Sequence, residues 1–241
     1  MFEEFGKSIV VEPYLANVVL SGGVLKRSDL ENKADLIEQL IAGEKQISLA
    51  NYEPKKGFNL DNVECEISDD GKISGLKTTV LNAPNADLFL IFGKHQSSFA
   101  FALISKGAEG SKVTPYKTYD GFVSGDLHLE NCKAEAVFSK SDALEILHQA
   151  ILEGIICVSS EAIGAMETCY KLTIEYTQQR EQFGQSLSKF QALQHRMVDM
   201  FMETEFSKSF LLKVLATDDV NERTKPVSYT HLTLPTRGLG W

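Results

Sequence analysis

The chain has 241 residues, 43% of them hydrophobic, enough for one large cored domain or two smaller ones. Its net charge of -9 excludes a phosphate-backbone binder, which needs clustered Lys and Arg to displace counterions. No apolar stretch is expected to reach the roughly 20 residues that span a bilayer, and Met1 to Ile9 carries Glu3 and Glu4 where a signal segment is basic and then apolar. A soluble globular protein of the cytoplasm, without nucleic acid, is the expectation. Cys65, Cys132, Cys157 and Cys169 form no C-x-x-C pair and have no His at metal-ligand spacing, so buried reduced thiols and no metal site are expected.

In chain order, Leu30, Ala34, Ile37, Leu40 and Ile41 recur at three- and four-residue steps and predict a helix over 29–42. Ser28 or Asp29 is its expected cap and Gly43 its end. From Gln46 to about Val137 the texture changes to short β-branched and aromatic runs. Val63 to Ile67 alternates, Asp69-Asp70-Gly71-Lys72 reads as a hairpin turn, and Leu88 to Phe92 and Phe99 to Ile104 read as buried strands.

After Ser141 the pattern turns helical. Ile151, Ile155, Val158, Ala162, Met166, Cys169, Thr173 and Tyr176 predict one apolar face of a long helix. A second, from about Lys189, carries Phe190, Leu193, Met197, Met200, Phe201, Phe210 and Val214, and the two are expected to pack antiparallel. Val227 to Thr236 looks like a translated sequencing adapter, so residues 227–241 are excluded from fold reasoning. Met1 to Gly6 starts mid-pattern, and both termini are expected to be artificial.

Between the long helices lie Arg180, Gln182, Phe183 and Gly184, followed by Gln191 at the start of the second helix. Arg offers a planar fork for phosphate, Phe a flat surface for a ring system, and a helix start offers free donors. That set suits a dinucleotide. The same residues also suit an ordinary inter-helix turn with a helix-end Arg.

Tyr176-Thr177-Gln178-Gln179-Arg180-Glu181-Gln182-Phe183-Gly184, then Phe190-Gln191 and Met197-Val198-Asp199-Met200, resembles the acyl-CoA dehydrogenase signature. The resemblance covers nearly all of residues 1–226. It implies an α+β multidomain chain: a remnant of the amino-terminal helical domain at 1–44, a middle antiparallel β-barrel domain at 45–140, and the start of a carboxy-terminal up-down helical bundle at 141–226. By the same resemblance, Arg180, Phe183 and Gln191, with Gln182 and Gly184 in the same loop, contact FAD bound mainly to a neighbouring subunit. Phe2 to Lys7 and Val11 to Ala16 resemble the branch associated with steroid side-chain and pimeloyl-CoA-type degradation, in which two unlike subunits often form the enzyme. The implied partners are an acyl-CoA substrate, a like or unlike subunit, and an electron-transfer flavoprotein or similar acceptor.

Two segments depart from the family pattern. The usual T-E-P-x-x-G-S-D reads Tyr52-Glu53-Pro54-Lys55-Lys56-Gly57-Phe58-Asn59, and the usual K-x-W-I-T-N reads Lys77-Thr78-Thr79-Val80-Leu81-Asn82. The hydroxyls and the Trp that meet the flavin are thus replaced. Desaturation of a thioester needs a carboxylate base, which most members place beyond position 226. A minority place it on the first long helix, where counting back from Gly164 reaches Gly154, with Glu153 a weak candidate one residue off. The resemblance therefore implies either a dehydrogenase subunit or a catalytically silent subunit that lends its loop to a partner's FAD. His195, beside the signature, reads as a packing or surface residue, His95 and His128 lack an evident acid or nucleophile partner, and Ser21-Gly22-Gly23 reads as a turn.

Overall fold

The computed structural model describes residues 1–57 and 59–217, so the segment 227–241 lies outside the described residues. The described chain divides into two compact units, one within residues 11–154 and one of residues 1–10 together with 155–217.

The first unit opens with a π-helical segment, Leu15–Ser21, followed by α2 (Gly22–Arg27) and α3 (Lys33–Ile41); α1 (Phe2–Ser8) belongs to the other unit. The Ser21 hydroxyl donates to the carbonyls of Ala16 at 2.9 Å and Ile47 at 2.7 Å, which ties the π-helical segment to the first strand. α3 begins later than its apolar spacing predicts. Its N-cap is Asn32, without a side-chain cap bond, because the Asp29 carboxylate accepts the Ser139 N–H at 2.6 Å instead. Gly43, at φ 72°, turns the chain out of the helix as expected, and the Glu44 N–H closes onto the Gln39 carbonyl at 2.9 Å.

Eight strands follow: β1 (Ile47–Ala50), β2 (Glu66–Ile67), β3 (Lys72–Leu81), β4 (Leu88–His95), β5 (Ser98–Ser105), β6 (Ser111–Lys117), β7 (Val123–Lys133) and β8 (Ala136–Phe138). They form one sheet in the order β6-β7-β3-β2-β4-β5-β8, with β1 joined to β4. The antiparallel barrel expected here is a mixed sheet, because β1 and β2 both run parallel to β4. The Asp87 N–H donates to the Gln46 carbonyl at 2.7 Å, so β1 and β4 start side by side and run the same way. The Asp69 to Lys72 turn is present, with Gly71 at φ 73° and Ile67 opposite Ile73. Val63, Cys65 and Ile67 are buried and Glu64 and Glu66 exposed, as the alternation predicts, although only Glu66 and Ile67 pair as a strand. Leu88 to Phe92 are all buried, and a row of rings crosses β4, β5 and β8, with Phe101 5.5 Å from Phe92 and 5.7 Å from Phe138.

In the second unit, α1 (Phe2–Ser8) packs on α4 (Ala143–Gln179), of which residues 155–179 belong here; β9 (Glu181–Gln182), β10 (Gln185–Ser186), a 3-10 turn at Leu187–Lys189 and α5 (Gln191–Leu215) complete it. α4 and α5 run antiparallel, since Thr177 meets Met197 and Tyr170 meets Phe201. α1 approaches α4 backbone to backbone: a Cβ on Gly6 would lie 1.8 Å from the Glu161 carbonyl oxygen, and one on Gly164 would lie 1.9 Å from that of Glu3.

Two expectations are corrected on α4. Ile163 and Met166 are buried, but Ile155, Val158, Cys169 and Tyr176 of the predicted apolar face are exposed, so that face is turned outward along much of its length. By length and composition alone α4 could cross a membrane, with an 18-residue window of mean hydropathy 1.4. Apolar residues lie on several of its faces and not on one stripe, which also describes the inner helix of a bundle.

Candidate functional site

α4 ends at Gln179, and two residues later the chain makes a hairpin with a two-residue tip. Gln182 pairs with Gln185 and Glu181 with Ser186. The tip residues, Phe183 at φ 55° and Gly184 at φ 77°, are both left-handed, which is the requirement of a type I′ turn. Gly adopts this freely. Phe does not, at a cost of roughly 1–2 kcal/mol, yet Phe183 is 91% exposed. Its ring meets Phe190 edge to face at 6.2 Å.

The hairpin is pinned at its base. The Arg180 N–H donates to Tyr176 and the Leu187 N–H to the Arg180 carbonyl, each at 2.8 Å, and the Ser186 hydroxyl reaches the Thr177 carbonyl at 3.3 Å. α5 then begins at Gln191 with Phe190 as N-cap and no side-chain cap bond. The first amides of a long helix therefore have no side-chain acceptor, next to the side chain of Gln191, which is exposed. Arg180 is exposed as well, while Gln182 donates to the Glu181 carbonyl at 2.7 Å. The structure thus brings Arg180, Phe183, Gly184 and Gln191 onto one helix–hairpin–helix junction.

On the sheet, a different arrangement marks the two segments that depart from the family pattern. Lys77 on β3 is fully buried, and its ammonium lies 2.7 Å from the Glu53 carboxylate, whose side chain is 5% exposed. Glu53 also accepts the N–H groups of Glu64 at 2.6 Å and Cys65 at 3.0 Å. Burial works to raise the Glu53 pKa, but the Lys77 charge and these hydrogen bonds hold it below the ordinary carboxylate value. One turn along, the Thr78 N–H donates to the Tyr52 carbonyl at 2.9 Å, and burial pushes the Tyr52 phenol up. Between Lys77 and Val80 the pairing with β7 slips by one residue, and in that bulge Thr79 sits exposed at φ 54°.

The base candidates are both occupied by packing. Gly154 is buried, and a Cβ there would lie 2.8 Å from a Leu20 methyl. Glu153 is gripped by Arg27, Nη2 to Oε1 at 2.5 Å and Nη1 to Oε2 at 3.2 Å, while Arg27 Nε donates to Gln149 at 2.9 Å. Sequence reasoning left out Arg27, and nothing in its local pattern distinguishes it. His195 and His128 are exposed; His95 is buried with Nδ1 3.0 Å from the Ile67 carbonyl. Ser21-Gly22-Gly23 is helical and not a turn. No group of three or more His, Cys, Asp or Glu is placed to hold a metal among the described residues.

A family model, acyl-CoA dehydrogenase C-terminal domain, matches residues 144–233. The 3-(aryl)acrylate reductase of Clostridium sporogenes is 28% identical over 200 residues, 76% of this chain and 52% of that protein.

From α4 onward the chain is similar to the carboxy-terminal domain of acyl-CoA dehydrogenases.

It spans about half the length of the curated relatives it matches. Among acyl-CoA dehydrogenase folds, the ChsE4–ChsE5 complex from Mycobacterium tuberculosis superimposes with a TM-score of 0.80 at 24% identity, covering 94% of this chain and 62% of that one. A solved FAD complex of PigA gives a TM-score of 0.80 at 22% identity, covering 88% and 61%. The α4–α5 junction fits such a cofactor, with an exposed aromatic, an exposed guanidinium and uncapped amides at a helix start. The sheet segments fit it less well, because Tyr52, Thr79 and Leu81 replace the family's hydroxyl and indole groups.

Proposed function

We propose that the chain is a subunit of an FAD-dependent acyl-CoA dehydrogenase acting on a CoA thioester, to which it contributes the α4–α5 junction. FAD, when bound, supplies the acceptor for the substrate's β-hydride. Arg180 provides the fork for a pyrophosphate oxygen pair, the uncapped amides at Gln191 add donors of the same sign, and Phe183 offers its exposed face to a flat ring. The observation that carries this reading is Phe183, held left-handed at full exposure although an ordinary residue would relax the turn. We place the complex in the cytoplasm, with an electron-transfer flavoprotein or a similar carrier as acceptor.

A second reading, the supporting subunit of a heteromeric enzyme in the steroid side-chain or pimeloyl-CoA-type branch, is favoured by a specific observation. Both positions on α4 from which a base could act are engaged, Gly154 under Leu20 and Glu153 by Arg27. The test is to express the gene alone and with any adjacent relative, and to record flavin absorbance and its bleaching by acyl-CoA. Bleachable colour from the single gene assigns a catalytic subunit. Colour only in the pair assigns the supporting role, and no flavin in either sinks both.

A further inference from the structure

The hairpin that carries Phe183 is held from beneath by a contact between a hydroxyl and a sulfur. Thr177 is buried near the end of α4, and its single hydroxyl proton has two acceptors, the Ile174 carbonyl at 2.9 Å and the Met197 sulfur of α5 at 3.3 Å. The carbonyl of Thr177 accepts the Ser186 hydroxyl at 3.3 Å, so this residue ties α4, β10 and α5 together. Ser186 in turn meets the Ser188 hydroxyl, and the Ser188 carbonyl accepts the Gln194 amide at 2.9 Å.

Met197 differs in setting from the methionines on either side of it in burial. Met166 is shut into the core at 5% exposure, and Met202 lies open on α5 at 46%. Met197 is half-buried, so its sulfur can be reached and yet lies in the seam between the two helices. A thioether is a weak acceptor, whereas its sulfoxide is polar, chiral and bulkier. The added oxygen competes for the Thr177 proton against the Ile174 carbonyl and places a polar atom in a packed seam.

We propose that Met197 is a peroxide-sensitive modification site, whose oxidation to the sulfoxide loosens the hairpin and weakens the junction's hold on FAD. Hydrogen peroxide is the oxidant. The sulfur lone pair attacks one peroxide oxygen and the O–O bond breaks; the sulfur is oxidised by two electrons, the peroxide is reduced, and the departing hydroxide takes the remaining proton and leaves as water. Enzymatic reduction of the sulfoxide reverses the modification. The inference rests on the reading that the junction serves FAD.

The test exposes the full chain, in its co-expressed complex, to hydrogen peroxide, and reads sulfoxide at each methionine by peptide mass together with the FAD dissociation constant. Met202, open to solvent, reports the dose. Where Met202 is fully modified, Met197 is expected to be modified as well and FAD affinity to fall about fivefold, the scale of one lost hydrogen bond. Met197→Leu, a swap of similar volume, removes the response to peroxide, whereas Met202→Leu leaves it in place. Methionine sulfoxide reductase restores the affinity of the oxidised wild-type complex, which separates the response from oxidation of the exposed Cys169 and requires no variant to fold. Met197 left unmodified beside modified Met202, or modified Met197 with unchanged FAD affinity, overturns this proposal alone; a wild-type complex without FAD overturns the functional reading and the proposal with it.

Discussion

Arg27 grips the Glu153 carboxylate from two sides, with Nη2 2.5 Å from Oε1 and Nη1 3.2 Å from Oε2. The pair ties α2 to the first turns of α4, and Gln149 adds a third contact. A carboxylate engaged in this way serves packing, and Glu153→Gln should leave turnover of the reconstituted complex within about threefold of wild type. Removing a true general base costs about 100- to 10,000-fold. Steady-state kinetics of the variant complex separates the two.

Phe183→Gly should uncouple folding from cofactor binding. The substitution releases the left-handed strain but loses the edge-to-face contact with Phe190, effects of about 1 kcal/mol each and of opposite sign. Melting therefore changes little, while FAD affinity drops by about tenfold or more. Equal loss of both would assign Phe183 to folding alone.

Acid should loosen the sheet unit through Glu53. Its folded-state pKa is held below the ordinary value by Lys77 and two amides against the opposing effect of burial. A depressed carboxylate contributes stability that is fully present above its unfolded value, near about 4.3, and is lost as pH falls through the folded value. Urea midpoints measured from pH 6 down to pH 3 should fall, and should fall less steeply in the Glu53→Gln, Lys77→Met double variant. An identical slope would mean that other carboxylates control the acid limb.

The cysteines should separate by reactivity. Cys65 is buried, and burial pushes its thiol up to about 11, whereas Cys169 on α4 is exposed. At pH 8 a thiol reagent should modify Cys169 rapidly in the native chain and Cys65 only on unfolding. Mass mapping of the labelled peptides reads this directly, and equal rates would contradict the buried placement.

Much of this architecture is legible in local pattern. Gly43 and Gly71 mark where the chain turns because only a residue without Cβ takes those conformations cheaply, and the period-two burial of Val63, Cys65 and Ile67 follows from the pleat. The signature loop was legible as residues, but its I′ hairpin was not, since Phe is a poor candidate for the first tip position. The start of α3 was misplaced because Asp29 caps Ser139, a partner 110 residues away that local spacing cannot reveal. The parallel pairing of β1 and β2 with β4 and the grip of Arg27 on Glu153 are likewise long-range. The outward apolar face of α4 was misread because periodicity identifies a stripe but not which side another element will cover.

The central claim, that the α4–α5 junction serves FAD, is tested most directly by Arg180→Ala in the co-expressed complex, with flavin content measured per complex beside wild type. The account predicts a complex of unchanged melting temperature and subunit composition that loses most of its FAD, restored in part by excess cofactor. Full flavin content with unweakened affinity in that variant would contradict it.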